Sequence, residues 1–352
     1  MIIAVDLSLV INEKNKRDEH TLWASIFFLA KKKSAHKFII ITRGLLPEVF
    51  PDLANVEIIQ HDLLSKKRLL GNYWSAMKVK KVLKKIKADV LISFGKIYPL
   101  PVPQVLIANG TKIPDKRAIN KSVLVIVNSI GQKNELVKRH DVAAEKIEIV
   151  PPVFQDSYKK NQEAEKDSAK ARFTEGKEFF ICTTGKLDEK SFLKLLKSFS
   201  HFKKRLQSGM KLILLTRPGK KLSDDLSSYK YRNDLVFAED LGGADEALLI
   251  GSSYAVIIDA TDSHPYINIL KALKCGVPVI SVENFATPEL TDSGILYADP
   301  ISEKGVGEKM IQLYTDENMR SKVIESGTTT ADGFTRQKAM DCLWNCINKV
   351  VK

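Results

Sequence analysis

The chain has 352 residues, a formal net charge of +13, and 44% hydrophobic against 28% charged residues. A chain of this length exceeds one ordinary core, so we expect two domains of roughly 150–190 residues. The composition is typical of a folded globular protein and excludes an intrinsically disordered one. No uncharged apolar segment reaches the length of about 18 residues that a membrane-spanning helix needs. The opening MIIAVDLSLV has no basic leader and predicts a first β-strand rather than a signal peptide.

The positive charge is concentrated in the first half of the chain. Residues 1–157 carry 26 Lys and Arg against 15 Asp and Glu, whereas residues 158–352 carry 29 against 27. An anionic partner is therefore expected to contact the first half. No zinc-finger spacing or basic–aromatic strand motif accompanies the charge, which disfavours nucleic acid. A membrane face, a phosphate-bearing substrate and an ordinary solvated surface all remain open.

The first half alternates short apolar strands with helical periods, a pattern typical of a parallel sheet covered by helices on both faces. We predict strands at Ile2–Val5, Lys37–Thr42, Val56–Gln60, Val90–Ser93, Val105–Ala108, Val123–Asn128 and Ile147–Val150. We predict helices at Thr21–Lys31, Tyr73–Lys87 and Gln132–Arg139.

A linker is expected at Pro151-Pro152 and the polar stretch Gln155–Asp167, after which a second alternating unit begins. Its predicted strands are Phe179–Thr183, Lys211–Thr216, Leu235–Phe237, Ala255–Asp259 and Val277–Ser281. Its predicted helices are Phe192–Gln207, Ala244–Ser252, Ile267–Leu273, Gly305–Tyr314, Glu317–Gly327 and Thr335–Val351. We therefore expect an α/β protein with domains at 1–155 and 164–335, a final helix at about 336–352 that packs back on the first domain, and a ligand cleft between them.

Several ordered motifs in the second half resemble those of the group 1 glycosyltransferases, also called family 4. They are Thr184–Lys190 (TGKLDEK), Cys275–Val279 (CGVPV), Thr287–Leu290 (TPEL), Gly294–Leu296 and Asp299-Pro300. The resemblance runs from about Lys146 onward and is thinner before it. It implies the GT-B fold, in which two Rossmann-like domains face each other across a cleft.

The resemblance also implies an activity. Members of the family transfer a sugar from a nucleotide-diphosphate donor to an acceptor, retaining the anomeric configuration and needing no bound metal or other cofactor. The acceptor expected here is a glycan or a lipid-linked molecule, as in polysaccharide biosynthesis. The four cysteines lie in mostly apolar contexts without further metal ligands, which favours a reduced, cytoplasmic setting. Peripheral contact with the inner membrane through the basic first half is an added expectation.

The donor diphosphate needs cations and free backbone amides at a helix start. By resemblance, Gly185, Lys186 and Lys190 supply them. Lysine gives a point charge where the family has the bidentate fork of arginine. The alternative is that these lysines belong to an ordinary lysine-rich loop between a strand and a helix. The sequence favours neither interpretation over the other.

The family's two glutamates, which contact the sugar and the ribose, fall on Ser263 and Lys271. A lysine cannot accept a hydrogen bond, so Lys271 cannot take the ribose role. Asp262 is next to Ser263 and is the candidate that replaces the carboxylate of the family's first glutamate. The favoured alternative is that Asp262 orders a loop or caps a helix. Glu289 matches a carboxylate beyond the donor helix, or is an acid beside a helix start.

The first domain has changed at the corresponding places. Asn109 aligns with the family's histidine; its amide can bind a sugar hydroxyl but cannot carry a proton. The turn near Arg17–His20 lacks the family's glycines, and His20 is the nearest imidazole. Together these changes support, more than any one of them alone, the alternative hypothesis of a catalytically degenerate GT-B protein that binds a glycan or a partner.

A lysine ladder occupies one side of the predicted helix Tyr73–Lys87. A solvated helix face is the favoured interpretation, and contact with anionic lipid or a lipid-linked phosphate is the alternative. Its members are Lys78, Lys80, Lys81, Lys84, Lys85 and Lys87.

Overall fold

The computed structural model describes residues 1–8, 20–42, 53–60, 77, 79–108, 114–183, 188–215, 226–238, 241, 243–262, 264–282, 288–290 and 294–351. The chain divides into two compact units. The first unit is Met1–Val153 with Phe334–Lys352, and the second is Phe154–Gly333.

The first unit is built on a seven-stranded sheet in the order β3-β2-β1-β4-β5-β6-β7. All of its strand pairs are parallel. The central strands are mostly apolar because both faces of the sheet are covered. The strands are β1 (Ile2–Asp6), β2 (Lys37–Thr42), β3 (Val56–Gln60), β4 (Val90–Phe94), β5 (Gln104–Ile107), β6 (Leu124–Val127) and β7 (Ile147–Ile149).

Helices pack on both faces of this sheet, among them the last helix of the chain. Leu343 and Ile347 of that helix are fully buried in the core beside Ile92 and Ile126. The described helices of this unit are α1 (His20–Lys32), α2 (residues 79–86), α3 (Lys116–Lys121), α4 (Ile130–His140) and α11 (Arg336–Val351).

The second unit has a six-stranded sheet in the order β10-β9-β8-β11-β12-β13. Its pairs are also all parallel. The strands are β8 (Phe179–Thr183), β9 (Lys211–Leu214), β10 (Leu235–Phe237), β11 (Ala255–Ile258), β12 (Val279–Ser281) and β13 (Ile295–Tyr297). The helices are α5 (Glu163–Thr174), α6 (Glu189–Leu206), α7 (Gly243–Ser252), α8 (Pro265–Lys274), α9 (Gly305–Thr315) and α10 (Glu317–Asp332).

The predicted fold class, two Rossmann-like parallel-sheet domains, is confirmed. Each predicted strand is present, with ends that differ by a residue or two. The predictions missed α3 and β13, and α10 continues to Asp332 beyond the predicted Gly327.

The predicted linker Gln155–Asp167 is wrong, because its later residues form the start of α5. A capping box begins this helix: Gln162 donates its backbone N–H to the Glu165 carboxylate at 2.7 Å. The segment before the helix is anchored, since the buried Asn161 amide donates to the Leu248 carbonyl at 2.8 Å. The sequence looks like a linker because α5 buries few of its residues.

The end of α8 follows the prediction that Gly276 stops the helix. Gly276 has φ of 67°, in the left-handed region. Its N–H bonds the Leu273 carbonyl at 3.0 Å, and the Val277 N–H bonds the Ala272 carbonyl at 3.0 Å. These two bonds form a Schellman motif, which turns the chain from α8 toward β12.

Candidate functional site

The second sheet changes direction between β8 and β11. The chain builds β8, β9 and β10 outward to one side and then returns to place β11 on the other side of β8. In open parallel sheets, ligands bind at the carboxyl ends of the strands where such a reversal occurs. The two carboxyl ends are joined here by a hydrogen bond from the Asp259 N–H to the Thr183 carbonyl, at 3.3 Å.

The loop after β8 leads into α6. Gly185 and Lys186, the predicted phosphate ligands in this loop, lie outside the described residues. Asp188 caps the helix, since its carboxylate accepts from the Ser191 N–H at 2.9 Å. Lys190 is exposed in the first helical turn. Among the described residues of this loop and helix start, Lys190 is therefore an exposed cation beside the start of α6.

The loop after β11 contains two aspartates with different local bonds. Asp259 accepts hydrogen bonds from the Thr261 N–H at 3.0 Å and the Thr261 hydroxyl at 2.6 Å. Asp262 is 5% exposed and accepts from the His264 N–H at 2.8 Å. The Asn268 amide also donates to both Asp262 oxygens, at 3.1 and 3.0 Å.

Asp262 therefore orders the loop before α8 and ties it to Asn268 of that helix, which agrees with the loop role that the sequence left as an alternative to a donor role. Its partner Asn268 was not singled out from the sequence. The available signal was an amide side chain one and a half turns downstream of the aspartate. Ser263 lies outside the described residues.

Lys271 is buried in an ion pair. Its ammonium lies 2.7 Å from the Glu246 carboxylate of α7, and the two side chains belong to residues only 6% and 8% exposed. The ammonium also lies 5.2 Å from the centre of the Tyr158 ring. Burial alone would lower the pKa of Lys271, but Tyr158 and Glu246 outweigh it and hold the pKa above its ordinary value.

Lys271, which the resemblance aligns with the family's second glutamate, is thus one partner of an internal ion pair. Sequence reasoning did not identify Glu246, since the pair joins two helices 25 positions apart along the chain. The signal that was present is an acid within the apolar helical stretch of α7.

Glu289 lies in a short 3₁₀ turn, Pro288–Leu290, and is half-buried. Burial raises the pKa of the Tyr266 hydroxyl, and the charge of Glu289 raises it further. Tyr266 belongs to the first turn of α8. The structure therefore brings Glu289 near the start of α8, which follows the Asp262 loop.

The first sheet has its own reversal, between β1 and β4. Asp6, at the end of β1, is 3% exposed and accepts from the Ser8 N–H at 3.0 Å and from the Tyr98 hydroxyl. Neither Asp6 nor Tyr98 was singled out from the sequence, although an aspartate that ends an apolar strand was the visible signal. Asn109 and the turn near Arg17 lie outside the described residues, as does the side chain of His20.

The described residues contain neither a cluster of metal ligands nor a membrane-spanning helix. Within these ranges, no three or more His, Cys, Asp or Glu side chains are grouped so as to hold a metal ion. No described helix is long and apolar enough to cross a membrane.

Comparison with solved structures defines the class of fold. A glycosyltransferase from Rickettsia africae has 15% identity and a TM-score of 0.74, with 100% of this chain and 98% of that one covered. WaaG, a glycosyltransferase involved in lipopolysaccharide biosynthesis, has 15% identity and a TM-score of 0.71, with 99% of each chain covered. Anabaena Alr3699/HepE in complex with UDP and glucose has 12% identity and a TM-score of 0.71, with 99% and 100% covered. The chain has the GT-B fold of these proteins.

A family model matches most of the second unit. Residues 163–330 match the family model "Glycosyl transferases group 1". No curated protein matches the chain. Most of the second unit is therefore similar to the group 1 glycosyl transferases.

Proposed function

We propose that the chain transfers a sugar from a nucleotide-diphosphate donor to a glycan or lipid-linked acceptor, with retention of the anomeric configuration. The observation that carries this proposal is the group 1 match across residues 163–330. That range contains the sheet reversal between β8 and β11, where an open parallel sheet binds its ligand.

The diphosphate is expected at the start of α6. Gly185 offers close backbone approach, while Lys186 and Lys190 offer positive charge. In the reaction, the bond between the anomeric carbon and the diphosphate oxygen breaks. The acceptor oxygen bonds that carbon on the same face, and the acceptor proton leaves with the nucleoside diphosphate.

Further roles are proposed for the remaining candidates. Ser263 and Glu289 would bind the donor sugar near the start of α8, and Asp262 would hold that helix start in position while facing the sugar. Asn109 would donate or accept a hydrogen bond at an acceptor hydroxyl. No cofactor or metal is required by this scheme, since the charge on the leaving group is met by lysines and backbone amides.

UDP is the first nucleotide to try. The HepE structure contains UDP and glucose, and the S. aureus MnaA structure, with 14% identity and a TM-score of 0.67, contains UDP. Titration calorimetry with UDP, GDP and ADP tests donor binding. We expect one nucleotide to bind, and Lys186→Ala to weaken it at least about tenfold, because a charge-assisted hydrogen bond is lost.

Lys177→Ala is the matched control, since Lys177 is an exposed lysine of the same unit outside the candidate site. It should leave the affinity unchanged. Failure of all three nucleotides to bind would contradict the proposal.

A second candidate function is a GT-B protein without catalysis that binds a glycan or a partner protein. The buried ion pair of Lys271 with Glu246 favours this second function. Lys271 aligns with the residue that binds the ribose in the family, and here its side chain is buried against Glu246 and cannot accept a hydrogen bond from a ribose. Failure of UDP, GDP and ADP to bind would support this candidate over the first.

A further inference from the structure

A groove of about 610 Å³ runs along the outer side of α6 in the second unit. It is bounded by α6, by residues 226–231 and by the segment just before α9. None of the candidate donor-site residues lines it. Its lining includes Leu193, Leu196, Lys204, Tyr229, Tyr231 and Lys304.

The floor of the groove is apolar and fixed. Phe192 is fully buried beneath it. The Tyr229 hydroxyl donates to the Leu196 carbonyl at 3.1 Å and accepts from the Ser200 hydroxyl at 3.0 Å. Because both bonds are internal, the tyrosine ring is held in place as part of the wall.

The rim of the groove is cationic. Lys204, Lys230 and Lys304 are exposed and form no ion pair with the described residues. Lys197 is paired at 2.7 Å with Glu303, the one acid among the described residues of the lining. The rim therefore carries a surplus of positive charge that is free to meet an anionic partner.

Two apolar side chains project beside these lysines. Leu193 on α6 is 42% exposed, and Ile301 is 89% exposed. The peptide unit that joins Pro300 to Ile301 is held on both sides: the Asp299 carboxylate accepts from the Ile301 N–H at 2.9 Å, and the Lys194 ammonium donates to the Pro300 carbonyl. Ile301 is thus displayed by a braced turn next to the cationic rim.

We propose that this face binds the surface of a membrane that contains anionic phospholipids. Lysines beside exposed aliphatic and half-buried tyrosine side chains are the combination that binds an interface, since the ammonium groups meet headgroup phosphates while the aliphatic groups enter the acyl boundary. The groove accepts a headgroup between the lysines. Leu193 and Ile301 enter the bilayer beside it. The surface lies in the second unit, whereas the bulk charge surplus lies in the first half of the chain.

Co-sedimentation with vesicles tests the proposal. Vesicles of equimolar phosphatidylcholine and phosphatidylglycerol should bind the wild-type chain, and vesicles of pure phosphatidylcholine should not. Each lysine near an anionic surface contributes about a fivefold change in partition, so Lys204→Glu/Lys230→Glu/Lys304→Glu should weaken binding by about a hundredfold or more. Ile301→Ser should weaken it without changing its salt dependence, because it removes apolar contact alone.

The lysine ladder of α2 supplies the matched control. Lys81, Lys84 and Lys85 are exposed on the first unit, so Lys81→Glu/Lys84→Glu/Lys85→Glu makes the same charge change elsewhere. This variant should retain vesicle binding. An unchanged urea midpoint and unchanged UDP affinity in each variant would separate loss of lipid binding from misfolding and from failure of the donor-site proposal.

Two results would overturn the proposal. One is a ladder variant that loses binding while the groove variant keeps it. The other is a wild-type chain that ignores anionic vesicles, which would leave an acidic protein segment as the partner of the groove.

Discussion

Lys271, which the sequence resemblance aligns with the family's second glutamate, is a buried cation whose charge is compensated by Glu246. Breaking a buried pair from one side costs far more than replacing both partners, because it leaves one charge buried and uncompensated. The interaction explains how the fold tolerates a charge reversal at this position.

The pair predicts a specific mutational pattern. Lys271→Met should lower the free energy of unfolding by about 3–5 kcal/mol, and Lys271→Met/Glu246→Leu should recover most of the loss. Urea denaturation measures both. Lys322→Met, at an exposed position of α10, should change stability by less than about 0.5 kcal/mol. Equal losses in the single and double variants would refute the interpretation.

Asp188 carries a pH dependence at the start of α6. The Ser191 backbone N–H, which bonds the carboxylate, holds the pKa of Asp188 below its ordinary value of 3.8. A lowered pKa in the folded state means that the stabilisation is present above that ordinary value. It is lost as the pH falls through the folded-state pKa.

Asp188→Ala should therefore cost about 1 kcal/mol at neutral pH, and the difference from wild type should shrink in acid. Asp188→Asn should keep the cap, so its advantage over Asp188→Ala should not vary with pH. Urea unfolding of the three proteins across the acid range checks this. A wild-type advantage over Asp188→Ala that is constant with pH would count against the assignment.

At the scale of elements, a helix end can be predicted from the sequence where it requires a backbone conformation that one residue type favours. The sequence predicts that α8 ends at Gly276, because a glycine follows the last apolar positions of the helix. The Schellman motif confirms this end. Helix α5 was missed for the opposite reason. Its polar composition hides a helix that is stabilised by a capping box and by the two-bond contact of Arg172 with Asp245, at 2.8 and 3.2 Å.

Gly276→Ala tests the helix end. A Cβ there would have only ordinary contacts, the nearest being Lys160 at 3.7 Å, so the cost is conformational. We expect a loss of about 1–2 kcal/mol in unfolding free energy, the cost of the left-handed region for an L-residue. Gly209→Ala, whose Cβ meets only Lys177 at 4.0 Å and whose φ is not positive, is the control in thermal or urea unfolding. A loss of equal size at both glycines would contradict the conformational explanation.

At the scale of the whole molecule, the alternation of buried strands and helices defines two parallel sheets from the sequence alone. The site was harder to predict, because a motif gives a position but not its partner. Asp262 was identified, yet its bond to Asn268 decides how much of its carboxylate is available. Lys271 was recognised as an altered position, yet only the packing of α7 against α8 reveals Glu246.

The central claim is that this altered site still transfers a sugar. Incubation of the chain with UDP-glucose, followed by proton NMR, tests it most directly. We expect slow release of UDP, with glucose appearing first as the α-anomer, and loss of that release in Lys186→Ala but not in Lys177→Ala. Binding of UDP with no release of sugar from UDP-, GDP- or ADP-glucose would contradict it.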